Sequence, residues 1–190
     1  LCYILLKKHN YIIPNDVKKR VEKQFDFIMA YTKPNDNSPI IGDQDDGRLL
    51  PFGIQKNINH SYLLTIGSIL FDRNDFKSLS SGYNVDAFFF LGDNSIDIYK
   101  NISKVKLEYK SSAFEDAGFF IMKNNKDYIF INNSGLGLNA YKDNHNGGTH
   151  THADMLSFEL CIDNEDIIVD TGSYEYTRDI KIRNYFRSTK

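Results

Sequence analysis

The amino-acid sequence predicts an α+β chain of two domains. Two observations carry this. Apolar residues recur at helical spacing through roughly the first hundred residues, and from Ala117 the pattern changes to period-two runs separated by turn residues. The two kinds of element do not alternate, as they would in a β/α repeat. The change of period places the boundary near Lys104–Ser112.

Leu1 to His9 reads as the end of a helix, and "NYIIP" as the loop after it. Asn15 or Asp16 is the expected cap of a second helix, because a short side-chain acceptor satisfies free N–H groups in the first turn. Val17, Val21, Phe25 and Ile28 then share one face, until the turn-rich "YTKPNDNSP" ends the helix. "IIGDQDDGRLLPFG" (Ile40–Gly53) is a loop dense in acid. A third helix is predicted over His60–Phe71 and a shorter one over "DFKSLS". A fifth, "VDAFFFLG", starts after Asn84 or Asp86. Short loops between successive helices imply an array of α-hairpins.

"AGFFIMKNNKDYIFINN" (Ala117–Asn133) predicts two strands around the turn "NNKD", and "MLSFELCIDNEDIIVDTG" (Met155–Gly172) a second hairpin. In that hairpin Leu156, Phe158, Leu160 and Ile162 share the face expected to be buried, with Ser157 and Glu159 on the other. No internal repeat is visible.

The chain has 190 residues, is 41% hydrophobic and carries a net charge of −2, so it can bury a core and shows no overall signal for nucleic acid or an anionic membrane. Cys2 and Cys161 stand far apart with no CxxC spacing, and no apolar run reaches the ~18–20 residues of a membrane span. The chain begins inside the apolar "LCYILL" and ends on "NYFRSTK", so a fragment of a longer protein is expected.

Four groups of residues could carry chemistry. The first is His150-Thr151-His152-Ala153-Asp154, behind Gly147 and Gly148. In a strand, His150 and His152 face one side and could converge on one target; imidazole binds transition metals and titrates near neutral pH. The plain alternative is two hydrogen-bonded surface histidines. The second is Asp170, at the end of an apolar strand before Thr171-Gly172. It is either an Asx turn or a carboxylate ligand. The third is the tail, where Arg178, Lys181, Arg183, Arg187 and Lys190 lie beside Tyr174, Tyr176 and Tyr185. This is either a solvated strand face or a binder of carboxylate or sulfate. The fourth is Asp43, Asp45, Asp46 and Arg48, whose spacing is not that of an EF-hand and reads best as a solvated loop.

Taken together, "IGDQDDGRLL", "AFFFLG", "AGFFIMKNNKDYIFINNSGLG", "THTHADMLSFELCIDNEDIIVDTGSYEY" and the closing "YFRST" resemble the heparinase II/III family of polysaccharide lyases in order and spacing. The stretch from His150 to Asp170 is the most specific part. The resemblance implies a helical (α/α) toroid whose last hairpins are residues 1–108, followed at 109–190 by the start of an antiparallel β-sandwich. It also implies β-elimination on an acidic polysaccharide, and a periplasmic or secreted protein.

Such a reaction needs a neutraliser for the uronate carboxylate, a base for the C5 proton and an acid for the leaving oxygen. By motif position His150 matches the family's catalytic histidine. His152 and Asp170 match two ligands of a structural zinc whose third ligand is expected beyond Lys190. Arg183, Arg187 and Tyr174 are the candidate substrate-binding residues. The catalytic tyrosine is expected upstream of Leu1, since Tyr3 sits too late in the pattern. On this view the fragment alone is inactive and binds zinc weakly.

One tension is geometric. With Asn164-Glu165 as the central pair of the hairpin, Asp170 lies opposite Glu159, seven residues from His152, or roughly 23 Å if extended. Shared ligation then needs a compact turn over Ala153–Leu156 or a different register. Two other functions remain open. An iron oxygenase would use His152-x-Asp154 with a distal histidine, although none follows in the chain. A non-catalytic glycan-binding or exopolysaccharide-biosynthesis protein could share the scaffold.

Overall fold

In the computed structural model, described over residues 1–44, 50, 52–53, 58–135, 152, 154–174 and 178–187, helices come first and strands after, which is the α+β order. The chain divides into two compact units. One comprises Leu1–Thr32 and Gly47–Glu108, the other Lys33–Asp46 and Tyr109–Lys190. Residues 33–46 thus group with the later unit.

The first unit holds α1 (Cys2–Lys8), α2 (Asn15–Tyr31), α3 (Ser61–Phe71), α4 (Asn74–Leu79), α5 (Val85–Leu91) and α6 (Ser95–Asn101). Leu64, Phe76 and Ala87 are fully buried at its centre. Gly67 lets α2 approach α3 closely, since a Cβ there would meet the Phe25 ring at 2.6 Å. Asn84 caps α5, its side chain accepting from Ala87 N at 2.9 Å. The expected cap of α2 does not form. Asn15 is already helical, and Pro14, which precedes it, has no side-chain acceptor to offer.

Helix α6 was not predicted, because Ser95–Asn101 shows little helical periodicity. Its last carbonyls are satisfied from outside. Lys77 Nζ donates to the Tyr99 carbonyl, to Lys100 O at 3.3 Å and to Ile102 O at 2.5 Å.

The later unit is a five-stranded antiparallel sheet in sequence order. Its strands are β1 (Ser112–Phe114), β2 (Phe119–Lys123), β3 (Tyr128–Asn132), β4 (Ser157–Ile162) and β5 (Glu165–Ile168). Both predicted hairpins are present, and β1 adds a short edge strand that its three residues did not announce. Ile121, Tyr128, Phe130 and Cys161 form its buried centre.

The predicted inner face of β4 is reversed. Glu159 and Cys161 are buried, whereas Leu156, Phe158 and Ile162 are exposed. The apolar alternation misled because a buried cation, described below, makes burial of Glu159 tolerable.

The tail also differs from a strand. Residues Ile180–Arg187 form helix α7, capped by Asp179, whose carboxylate accepts from Lys181 N at 2.8 Å and Ile182 N at 3.1 Å.

Candidate functional site

Two local devices bring His152 and Asp170 together in the later unit. Before β4 the chain turns tightly. The Asp154 carbonyl accepts from Ser157 N at 3.2 Å and Ser157 Oγ at 2.6 Å, and Leu156 takes φ 60°. After β4 the hairpin turns on Asp163 and Asn164, both left-handed at φ 50° and 67°, so Ile162 pairs with Glu165. The expected central pair, Asn164-Glu165, is therefore off by one. An irregularity between Leu160 and Cys161 then shifts the register again, pairing Leu160 with Ile168. As a result His152 Nε2 lies 2.5 Å from Asp170 Oδ1.

Asp170 also makes the Asx turn of the plainer reading, accepting from Gly172 N at 2.6 Å. Gly172 sits at φ 66°, where a side chain would be strained. The turn and the histidine contact coexist on one carboxylate oxygen.

The surroundings are buried and acidic. His152 and Asp154 are 8% and 6% exposed. Asp154 Oδ2 accepts from Gly42 N at 3.0 Å and Asn132 Nδ2 at 3.1 Å, and it stands 3.9 Å from His152 Nδ1. Asn132 is oriented in turn by Ser134, whose N and Oγ donate to its Oδ1. Burial works against a proton on His152. The Asp170 hydrogen bond and charge, with the Asp154 charge, outweigh it, so the His152 pKa is raised. Nδ1 is buried and makes no hydrogen bond.

Residues 33–44 hold this corner through a second network that was not singled out in the sequence. Lys33 Nζ lies 2.6 Å from Glu159 Oε2 and 2.7 Å from Asp166 Oδ1, with only 2% of its side chain exposed. Asn37 Nδ2 reaches Asp166 Oδ2 at 3.0 Å, and Ile40 N reaches Glu159 Oε1 at 2.6 Å. Burial would lower the Lys33 pKa, but its two carboxylates more than offset that and raise it. Burial pushes Asp166 up, yet Lys33 and Asn37 hold it below its ordinary value. Glu159 stays raised because burial outweighs Lys33 and the Ile40 N–H. A lone glutamate in an apolar strand was the available signal for this network.

The other candidates are placed unevenly. His150, Asp45, Asp46, Arg48 and Tyr176 lie outside the described residues, as does the Arg187 side chain on α7. Asp43 is half-buried next to Gly42. Arg183 lies on α7, its guanidinium donating to Asn184 Oδ1 at 3.2 and 3.3 Å. Tyr174 is 69% exposed, and with Lys181, Ile182 and Tyr185 it lines a shallow surface depression. Among the described residues, no helix is long and apolar enough to cross a membrane.

Residues 107–190 match the family described as heparinase II/III-like, C-terminal. The match bears out the resemblance over the later motifs, from "AGFFIMKNNKDYIFINNSGLG" onward; the earlier ones lie outside residues 107–190.

Solved structures of heparinase type are also similar to this chain. One is the heparan sulfate lyase HepC from Pedobacter heparinus, at 19% identity and a TM-score of 0.60, covering 92% of this chain and 23% of that one. Two structures of heparinase III have TM-scores of 0.63 and 0.61 at 19% and 18% identity, each covering 92% of this chain and 23% or 25% of theirs. The chain thus spans about a quarter of the length of the structures it matches, and the likeness is one of fold. No curated protein matches the sequence.

In this heparinase-like segment the donor types at the corner, imidazole nitrogen and carboxylate oxygen, are those that zinc takes. The buried Nδ1 also fits a ring whose other nitrogen faces a metal. Among the described residues, no third His, Cys, Asp or Glu joins them to close a site.

Proposed function

We propose that the parent protein is a lyase that cleaves a uronic-acid-containing acidic polysaccharide by β-elimination, in the periplasm or outside the cell. The observation that carries this reading is the family match over residues 107–190, the segment containing both His150 and the His152–Asp170 pair. On this reading the helices of the first unit are the last hairpins of an (α/α) toroid, and the sheet begins a β-sandwich.

His150 takes the C5 proton or holds the substrate carboxylate. As the C5–H bond breaks, the electron pair forms the C4–C5 double bond and the C4–O bond opens. A tyrosine upstream of Leu1 protonates the departing oxygen. Arg183, Arg187 and Tyr174 contact the acidic sugar, Arg through its planar fork and Tyr through its ring face. His152 and Asp170 would hold a structural zinc, which would supply a rigid link between their two segments.

The test is absorbance at the unsaturated-uronate band, using the full-length protein on heparan-type, alginate and other acidic polysaccharides, beside His150→Ala. A rise that the variant abolishes supports β-elimination through His150. No rise from a well-folded full-length protein with any substrate sinks the reading and favours a non-catalytic glycan binder.

A further inference from the structure

His152 is bracketed by two carboxylates, one at each ring nitrogen. Asp170 Oδ1 is at 2.5 Å from Nε2, and Asp154 Oδ2 is at 3.9 Å from Nδ1. The two acids are built differently. Asp170 ends a strand and turns the chain through Gly172 N. Asp154 is pinned by the Gly42 N–H and the Asn132 amide, both onto the oxygen nearest Nδ1. Asn132 lies on the adjacent strand and is itself fixed by Ser134. The network therefore places one carboxylate oxygen rigidly behind the ring, at a nitrogen that is buried without a hydrogen bond.

We propose that Asp154 is the positioning residue of His152, its carboxylate holding the Nδ1 edge of the ring so that Nε2 is presented to Asp170 and to a divalent zinc ion between them. This rests on the zinc reading of the His152–Asp170 pair given above. Two donors on one tetrahedral zinc, each at about 2.0–2.2 Å, stand roughly 3.3 Å apart. The present 2.5 Å contact must therefore open by about 0.8 Å. Asp154 Oδ2, held by the Gly42 N–H and the Asn132 amide, is the described carboxylate oxygen at the Nδ1 edge of that ring. Metal-bound histidines commonly donate their second N–H to such a carboxylate, and loss of that partner weakens metal binding about 10–100-fold.

The experiment uses the full-length protein and zinc itself, competed against a chromogenic chelator, with circular dichroism and melting of the zinc-free protein as a check on folding. Asp154→Asn keeps the size and removes the charge, and is expected to bind zinc about 10–100-fold more weakly. A variant that folds and binds zinc like the wild type overturns the proposal. The ¹⁵N spectrum of His152 in the zinc-loaded wild type needs no variant. Nδ1 carrying the proton and Nε2 bound to metal supports it, and metal on Nδ1 overturns it. A wild-type protein that takes up no zinc overturns it too, whereas polysaccharide cleavage by the same preparation reports separately on the lyase reading.

Discussion

Lys33 anchors a buried ion-pair network in the later unit. Its ammonium is the only described side-chain cation on the buried carboxylate of Glu159, and 4% of the Glu159 side chain is exposed. Removing one partner of a buried pair leaves the other charge uncompensated, so Lys33→Met is expected to cost ~3–5 kcal/mol in urea unfolding. Adding Glu159→Gln should recover part of the loss; no recovery would show that the pair is not coupled. A second lysine sets a pH dependence. Burial depresses Lys123 to about 8 from an ordinary 10.5. Between those values the unfolded chain holds a proton that the folded chain lacks, so stability rises with pH across that window. Lys33 does not disturb the effect, because its raised pKa leaves its contribution intact below 10.5. Lys123→Met should abolish the rise, measured by melting at pH 7.5 and 9, below the range in which the raised thiol pKa of Cys161 acts with the opposite sign. His152 and Asp170 could be named from the motif as partners, but not joined. Their meeting depends on left-handed residues at Leu156, Asp163 and Asn164, and each of the three is a conformation that side-chain type alone does not force.

At the scale of elements, strong periodicity was readable and weak periodicity was not. α3 and both hairpins announced themselves through apolar spacing, and Asn84 through its capping chemistry. α6 and β1 did not, being short and held by contacts rather than by propensity, as the Lys77 bonds to the last carbonyls of α6 show. β4 shows the converse error, since a clean alternation pointed to the wrong face once Glu159 found a buried cation. The corner before β2 carries a test. Gly118 stands at φ 74°, and a Cβ there would meet the Asn133 carbonyl oxygen at 2.3 Å. Backbone blocks the space, so no side chain can yield. Gly118→Ala should cost about 1–2 kcal/mol from the left-handed φ alone, and more from displacing the Asn133 N to Gly118 O bond of 2.7 Å. A melting temperature equal to that of the wild type would contradict this geometry.

For the whole molecule, chain order and spatial grouping part company at residues 33–46, which precede most of the first unit's helices yet belong with the sheet. Nothing local reveals this, because their partners lie more than a hundred residues later. Hydrogen exchange should reveal it. The Ile40 and Gly42 amides, donated to Glu159 and Asp154, should exchange with the strands of the later unit, and Lys33→Met should speed them without changing α3. Amides that follow α3 instead would contradict the grouping. The same separation sets a schedule for synthesis. Lys33 waits 133 residues for Asp166, Ile40 119 for Glu159 and Gly42 112 for Asp154. At ~5–20 residues per second on the ribosome, that is roughly 6–27 s in which a lysine destined for burial, and the loop around it, stay in water with no partner yet made. The strap must remain soluble and uncommitted while the helices beside it in sequence fold. Its polar run of Lys, Asn, Asp and Ser suits that wait as well as it suits the final clasp.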